Sequence, residues 1–148
     1  MSVPYRTILV PTDFSSHSEV ALEHAVALAR AFGARLHLLH CYSLPIPAVM
    51  PYDVAVPETV WEGVREAADA KLAELGEKVA AEGVEVETHL SRAFPAEVIS
   101  ETAEEIGADV IVMGTRGNSG LKHVLLGSVT ERVLRTAPCP VLTLRRHD

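Results

Sequence analysis

At 148 residues the chain has the length of one domain with a real core, and its 48% hydrophobic and 22% charged residues are ordinary for a soluble globular protein. A formal net charge of -7 argues against general nucleic-acid binding, which needs a basic face to replace counterions, but allows a single nucleotide held by backbone N–H groups. No apolar run is long enough to span a membrane and Met1 to Val10 holds no signal-like apolar stretch, so the chain reads as cytoplasmic.

The first element is Thr7 to Pro11 (TILVP), a short apolar run with β-branched residues and therefore a buried strand. Ser15 and Ser16 offer the N-cap of a helix, with Glu19 three residues after Ser16 completing a capping-box pattern. Val20, Ala21, Ala25, Leu28 and Phe32 follow at helical spacing, and Gly33 is the expected C-cap. Arg35 to Cys41 (RLHLLHC) reads as the second strand. A long loop from Tyr42 to Glu58 carries Pro45, Pro47, Pro51 and Pro57, and loops of that length are usually functional or mobile. Val60, Val64, Ala67, Ala68, Leu72, Leu75 and Val79 then mark an amphipathic helix ended by Gly83.

Val84 to Leu90 alternates as a strand does, with Val84, Val86, Thr88 and Leu90 on one face and Glu85, Glu87 and His89 on the other. Pro95 suits the first turn of a helix running through Ile99, Ala103 and Ile106 to Gly107. Val110 to Met113 is the fourth strand, Ser128 to Arg135 the last helix and Pro140 to Leu144 the fifth strand. The order β-α-β-α-β-α-β-α-β implies an open parallel sheet covered by helices on both faces, a Rossmann-like α/β fold in one domain spanning 1–148. Ligands in such sheets bind beyond the C-terminal strand ends where the winding reverses. The loops after strand one (Thr12, Asp13, Phe14) and strand four (Gly114 onward) are expected to meet there.

The second of these loops carries the most chemistry. Residues 114–130 read GTRGNSGLKHVLLGSVT, a glycine-rich loop between a buried strand and a helix start. Glycine lets backbone N–H groups approach an anion closely, and a helix N-terminus adds free N–H groups and a partial positive charge. Neither GxxxxGK[ST] nor GxGxxG is present; the pattern is G-x2-G-x9-G-S, at Gly114, Gly117, Gly127 and Ser128. Blander readings stand beside the phosphate one. The glycines turn a loop, Ser128 forms an S-x-x-E capping box with Glu131, and Asp13 is a helix cap or turn residue.

This motif, with PTDFS after strand one and LLGSVTERVLRTAPCPVL near the C-terminus, resembles the universal stress protein family over essentially the whole chain. The resemblance implies a five-stranded parallel sheet in the order 3-2-1-4-5, a homodimer, and ATP binding in the branch that carries the motif. By position, Asp13 matches an acidic residue near ribose or adenine, and Pro11, Thr12 and the backbone at Cys41 match the adenine pocket. Met113 and Gly114 border the nucleotide. Gly117, Gly127 and Ser128 match phosphate-binding positions, beside the N–H groups of Val129 and Thr130 or the Thr130 hydroxyl. Arg116 stands where histidine is frequent and Asn118 where arginine is frequent; Arg116 can supply the charge lost at 118.

No metal site built by the protein is expected. His37 and His40, three apart on a strand, point to opposite faces, and His17 and His24 are about two helical turns apart, ~10 Å. Any Mg²⁺ or Mn²⁺ would be held mainly by the nucleotide and water. Lys122 and His123 lie in the loop near the expected phosphates. Cys41 and Cys139 form no CxxC pair and read as reduced thiols. No GxSxG and no residue set to activate a water are apparent, so no catalytic residue is assigned. The favoured function is an ATP-responsive stress-resistance or regulatory module, paired through the apolar terminal strand Val141 to Leu144. A slow ATP hydrolase and a nucleotide-free dimer acting through an unidentified protein partner are the alternatives.

Overall fold

The computed structural model describes residues 4–44, 55–116 and 126–146. Strands and helices alternate as β1 (Thr7–Pro11), α1 (Ser16–Phe32), β2 (Arg35–Cys41), α2 (Glu58–Ala81), β3 (Val86–Ser91), α3 (Pro95–Ile106), β4 (Val110–Gly114), α4 (Ser128–Thr136) and β5 (Val141–Leu144). All four strand pairings are parallel, and the sheet runs β3-β2-β1-β4-β5. The chain therefore winds outward from β1 to β3, crosses back to β4 on the other side of β1, and ends at the β5 edge.

Both faces of the central strands are covered, which explains their unbroken apolar runs. Ile8 and Val10 of β1 face one side with Leu36, Leu38, Val110 and Val112, beneath Ala21 and Ala25 of α1 and Leu72 of α2. Leu9 faces the other with Leu39, Ile111 and Met113, against Ile99 and Ala103 of α3 and Val133 of α4. Each fully buried Ile or Leu contributes roughly 1.5–3 kcal/mol relative to exposure. Helix α1 meets the sheet through Ala21, Ala25 and Ala29, a stripe of one-carbon side chains that seats the helix close.

Element boundaries differ from the sequence expectation in instructive ways. The N-cap of α1 is Ser15, whose hydroxyl accepts from the Ser18 N–H; the Ser16/Glu19 capping box does not form. Strand β3 begins at Val86, and Val84 is buried ahead of it. Strand β5 begins at Val141, while the Pro140 carbonyl still accepts from the Ile111 N–H at 3.0 Å. The stops at Gly33 and Gly107 are as expected, both left-handed C-caps, with φ of 65° and 64°. Most of the proline-rich stretch between Tyr42 and Glu58, residues 45–54, lies outside the described residues.

One carboxylate joins the two central strands at their N-terminal ends. Asp109 Oδ2 accepts from the N–H groups of Arg6 (2.8 Å) and Thr7 (2.9 Å), while its own N–H donates to the Thr7 carbonyl at 2.8 Å. A side chain thus extends the β1–β4 ladder beyond where the backbone of β4 can reach. Asp109→Ala is expected to lower unfolding free energy by about 1–3 kcal/mol, since it removes two hydrogen bonds to a charged acceptor, at an exposed and a half-buried N–H. Asp109→Asn, which keeps an accepting oxygen, is expected to retain most of it. Urea midpoints of the two variants at equal m-value check this.

Candidate functional site

The site grows from the point where β1 and β4 lie side by side and their chains diverge. Beyond β1 the backbone turns sharply. Thr12 is buried; its N–H donates to the Leu39 carbonyl at 2.8 Å, and its carbonyl accepts from His40 Nδ1–H at 2.8 Å. The acceptor being a carbonyl, His40 carries its proton on Nδ1. The Thr12 hydroxyl accepts from the Phe14 N–H (3.1 Å) and lies 3.1 Å from Ser18 Oγ. Ser18 Oγ in turn donates to the Ser15 carbonyl at 2.9 Å.

Phe14 is held at φ 62°, the left-handed region, where a bulky side chain costs about 1–3 kcal/mol. Its ring packs on His40, with centroids 4.4 Å apart, and Lys71 lies 5.5 Å from its centroid. Packing and the Thr12 hydroxyl together offset the strain. Asp13, next to it, accepts the Ser15 N–H at Oδ1 (3.0 Å), so a turn role is present.

Beyond β4, two bonds set the geometry. The Thr130 hydroxyl, buried, donates to the Gly114 carbonyl at 2.9 Å and fixes the first turn of α4 to the end of β4. The Gly127 N–H donates to the Thr115 carbonyl at 2.6 Å, joining the two ends of the glycine-rich segment. The N-cap of α4 is Gly127, with no side-chain cap bond, and Ser128 is the first helical residue. The Ser128–Glu131 capping box is thus overturned: Ser128 sits one position too late to cap, and Glu131 instead accepts from Arg135 at 2.5 Å. The first bond internal to α4 runs from the Glu131 N–H to the Gly127 carbonyl (3.0 Å), so the N–H groups of Ser128, Val129 and Thr130 have no partner inside the helix.

Pro11, Thr12, Asp13, Cys41, Met113, Gly114, Arg116, Gly127, Ser128, Val129 and Thr130 all line one cavity of about 220 Å³. Gly117 lies outside the described residues, as do Asn118, Lys122 and His123. Arg116 reaches this cavity, which its sequence position left undecided. Ser18, Leu39, Pro95 and Ile99 line it too and were not anticipated. Leu39 was discoverable, being two residues before Cys41 on the same face of β2. Pro95 and Ile99 come from α3, whose first turn arrives over the strand ends without any signal in its own sequence. Burial pushes the Cys41 thiol up to about 11, so it is a neutral lining group rather than a nucleophile. Both cysteines are free.

The family model described as Universal stress protein family matches residues 4–145. Universal stress protein MJ0531 of Methanocaldococcus jannaschii is 39% identical over 146 residues, covering 96% of this chain and 83% of that protein. The solved structure of hypothetical protein MJ0577, from the same organism, superposes with a TM-score of 0.84 at 33% identity, over 98% of this chain and 99% of that one. The universal stress protein from Archaeoglobus fulgidus in complex with dAMP gives a TM-score of 0.64 at 27% identity, over 95% and 98%.

Gly114 has a structural duty independent of any ligand. A Cβ there would stand 2.9 Å from the His17 carbonyl oxygen, a backbone atom in the first turn of α1. Gly114→Ala must therefore push α1 away from β4, and a loss of about 1–3 kcal/mol is expected. Chemical denaturation of the purified variant reads it directly; an unchanged midpoint would show that α1 and β4 are not in close contact.

Proposed function

Since the chain belongs to the universal stress protein family, we propose that the cavity beside β1 and β4 binds ATP, with the domain spanning residues 1–148 acting as a nucleotide-responsive regulatory module. The observation that carries this reading is the convergence on one cavity of an apolar part, a carboxylate, an arginine and a helix N-terminus. Pro11, Leu39 and Met113, with the backbone at Cys41, suit a purine. Asp13 suits a ribose hydroxyl, which would donate to it. The N–H groups of Ser128, Val129 and Thr130 suit phosphate oxygens, with Arg116 adding a full positive charge. Gly127 brings the backbone close and does not donate, its N–H being bonded to Thr115. The Thr130 hydroxyl is likewise engaged, which leaves its N–H as the phosphate-facing group. Gly117 joins the phosphate set by its motif position. Mg²⁺ or Mn²⁺ would enter on the nucleotide, held by phosphates and water.

The complex of the A. fulgidus relative with dAMP supports an adenine nucleotide as the ligand. Binding rather than turnover is favoured, because the cavity lining among the described residues offers one carboxylate, Asp13, and no second one to activate a water. Pairing of two copies through β5 has its own support. Strand β5 is an edge of the sheet, and Leu142 on it is 39% exposed. No described helix is long and apolar enough to cross a membrane. A cytoplasmic place and a role in stress resistance complete the reading.

The test begins with nucleotide released from freshly purified, denatured protein, resolved by anion exchange, followed by thermal shift with added Mg-ATP. ATP or ADP is expected to co-purify, and saturating ATP to raise the melting temperature, because a native-state ligand at 100 times its Kd adds about 2.7 kcal/mol. Arg116→Ala should weaken ATP about tenfold or more while changing adenosine binding little, as a charged hydrogen bond is worth about 1.5–3 kcal/mol. An empty protein that ignores millimolar ATP overturns the reading.

A further inference from the structure

Away from the cavity, the sheet gathers three metal-ligating side chains that sequence separation conceals. His37 of β2 pairs in register with Glu87 of the edge strand β3, and His89 lies two residues further along the same face of β3. His37 Nδ1 is 2.8 Å from His89 Nε2 and 3.7 Å from Glu87 Oε2. One ligand atom from each residue lies within 4.8 Å of the others. We propose that His37, Glu87 and His89 form a binding site for a divalent transition metal, zinc above all, that clamps the edge strand β3 to β2.

The chemistry favours zinc. Two imidazoles and a carboxylate are a borderline-to-hard donor set, and tetrahedral zinc with bonds of about 2.0–2.1 Å holds its ligand atoms about 3.3 Å apart. Two of the three separations, 2.8 and 3.7 Å, bracket that spacing, and all three lie within 4.8 Å. Rotation of the three side chains would bring the donors to that spacing. The ring proton now shared between the two histidines moves to the far nitrogen of its own ring, so each offers a lone pair.

The surroundings agree. His37 is buried, 6% exposed, so its ring is held by the packing around it and faces the other two residues from inside the sheet. Glu87 is exposed, so the fourth position opens to water and the ion has a route in. The other charges facing His37 are Glu85 and Arg35, which are ion-paired with each other. The site is distinct from the nucleotide cavity: His37 lies four residues, about 13 Å of strand, before Cys41, and none of the three residues lines that cavity.

The experiment uses full-length, tag-free protein stripped of nucleotide and metal, titrated with ZnCl₂ by calorimetry and with CoCl₂ by visible absorption. The expected result is one zinc per chain, a raised melting temperature, and tetrahedral cobalt bands without thiolate charge transfer. His89→Ala and Glu87→Ala, both on the edge strand, should each weaken zinc at least about tenfold, the lower bound seen when even an outer partner of a ligand is lost. His24→Ala, on the exposed face of α1, should bind as the unaltered chain does. Absence of a saturable zinc equivalent overturns the proposal. So does affinity unchanged in His89→Ala, or a cobalt spectrum that reports cysteine ligation. ATP binding by the same samples is read separately, so failure of either site leaves the other reading standing.

Discussion

The adjacency of β1 and β4 is the constraint on which the rest of the molecule depends. Their contact brings together segments about a hundred residues apart, and each end of it is secured differently. At the N-terminal end, Asp109 gives two N–H groups of the β1 approach a partner. At the other end, Gly114 lets α1 come within backbone contact, and Thr130 holds α4 against the Gly114 carbonyl. With both ends held, the two chains can only part as they leave the sheet, one toward α1 and one toward α4. The cavity is the space between them. Its existence follows from winding and tight packing, and its contents from whichever residues the two loops carry.

Much of this is legible in the sequence. Apolar runs such as TILVP and VIVM announce strands buried on both faces. Gly33 and Gly107 mark helix stops because a left-handed residue is needed there, and Pro95 marks a helix start because its missing N–H costs nothing in the first turn. The glycine spacing located the strand-to-helix turn. Local rules of this kind act over a few residues, and sequence displays them.

What stayed hidden was mostly non-local. Nothing around Asp109 distinguishes it from a surface carboxylate, since its partners are at residues 6 and 7. His37 looked idle beside His40 because strand geometry separates those two, while its neighbour across the sheet is 52 residues away. Ser128 shows the opposite failure. The S-x-x-E pattern is locally valid, yet the tertiary bond from Gly127 to Thr115 starts the helix one residue earlier and removes the serine from the capping position. Phe14 gave no sign of strain, because two of the groups around its ring, His40 and Lys71, come from β2 and α2, and only Thr12 is a neighbour in the chain.

The bond from the Gly127 N–H to the Thr115 carbonyl has a consequence for loop length. It ties together both ends of the stretch 116–126, so the scaffold on either side is settled whatever lies between. Closing a loop whose ends are already held depends weakly on its length, with each doubling adding only about 0.6 kcal/mol. By that arithmetic, a change of length between the two held ends would add little to the cost of closing them. The joint at Thr115 and Gly127 is thus a fixed hem on which the edge of the fold can be let out or taken in.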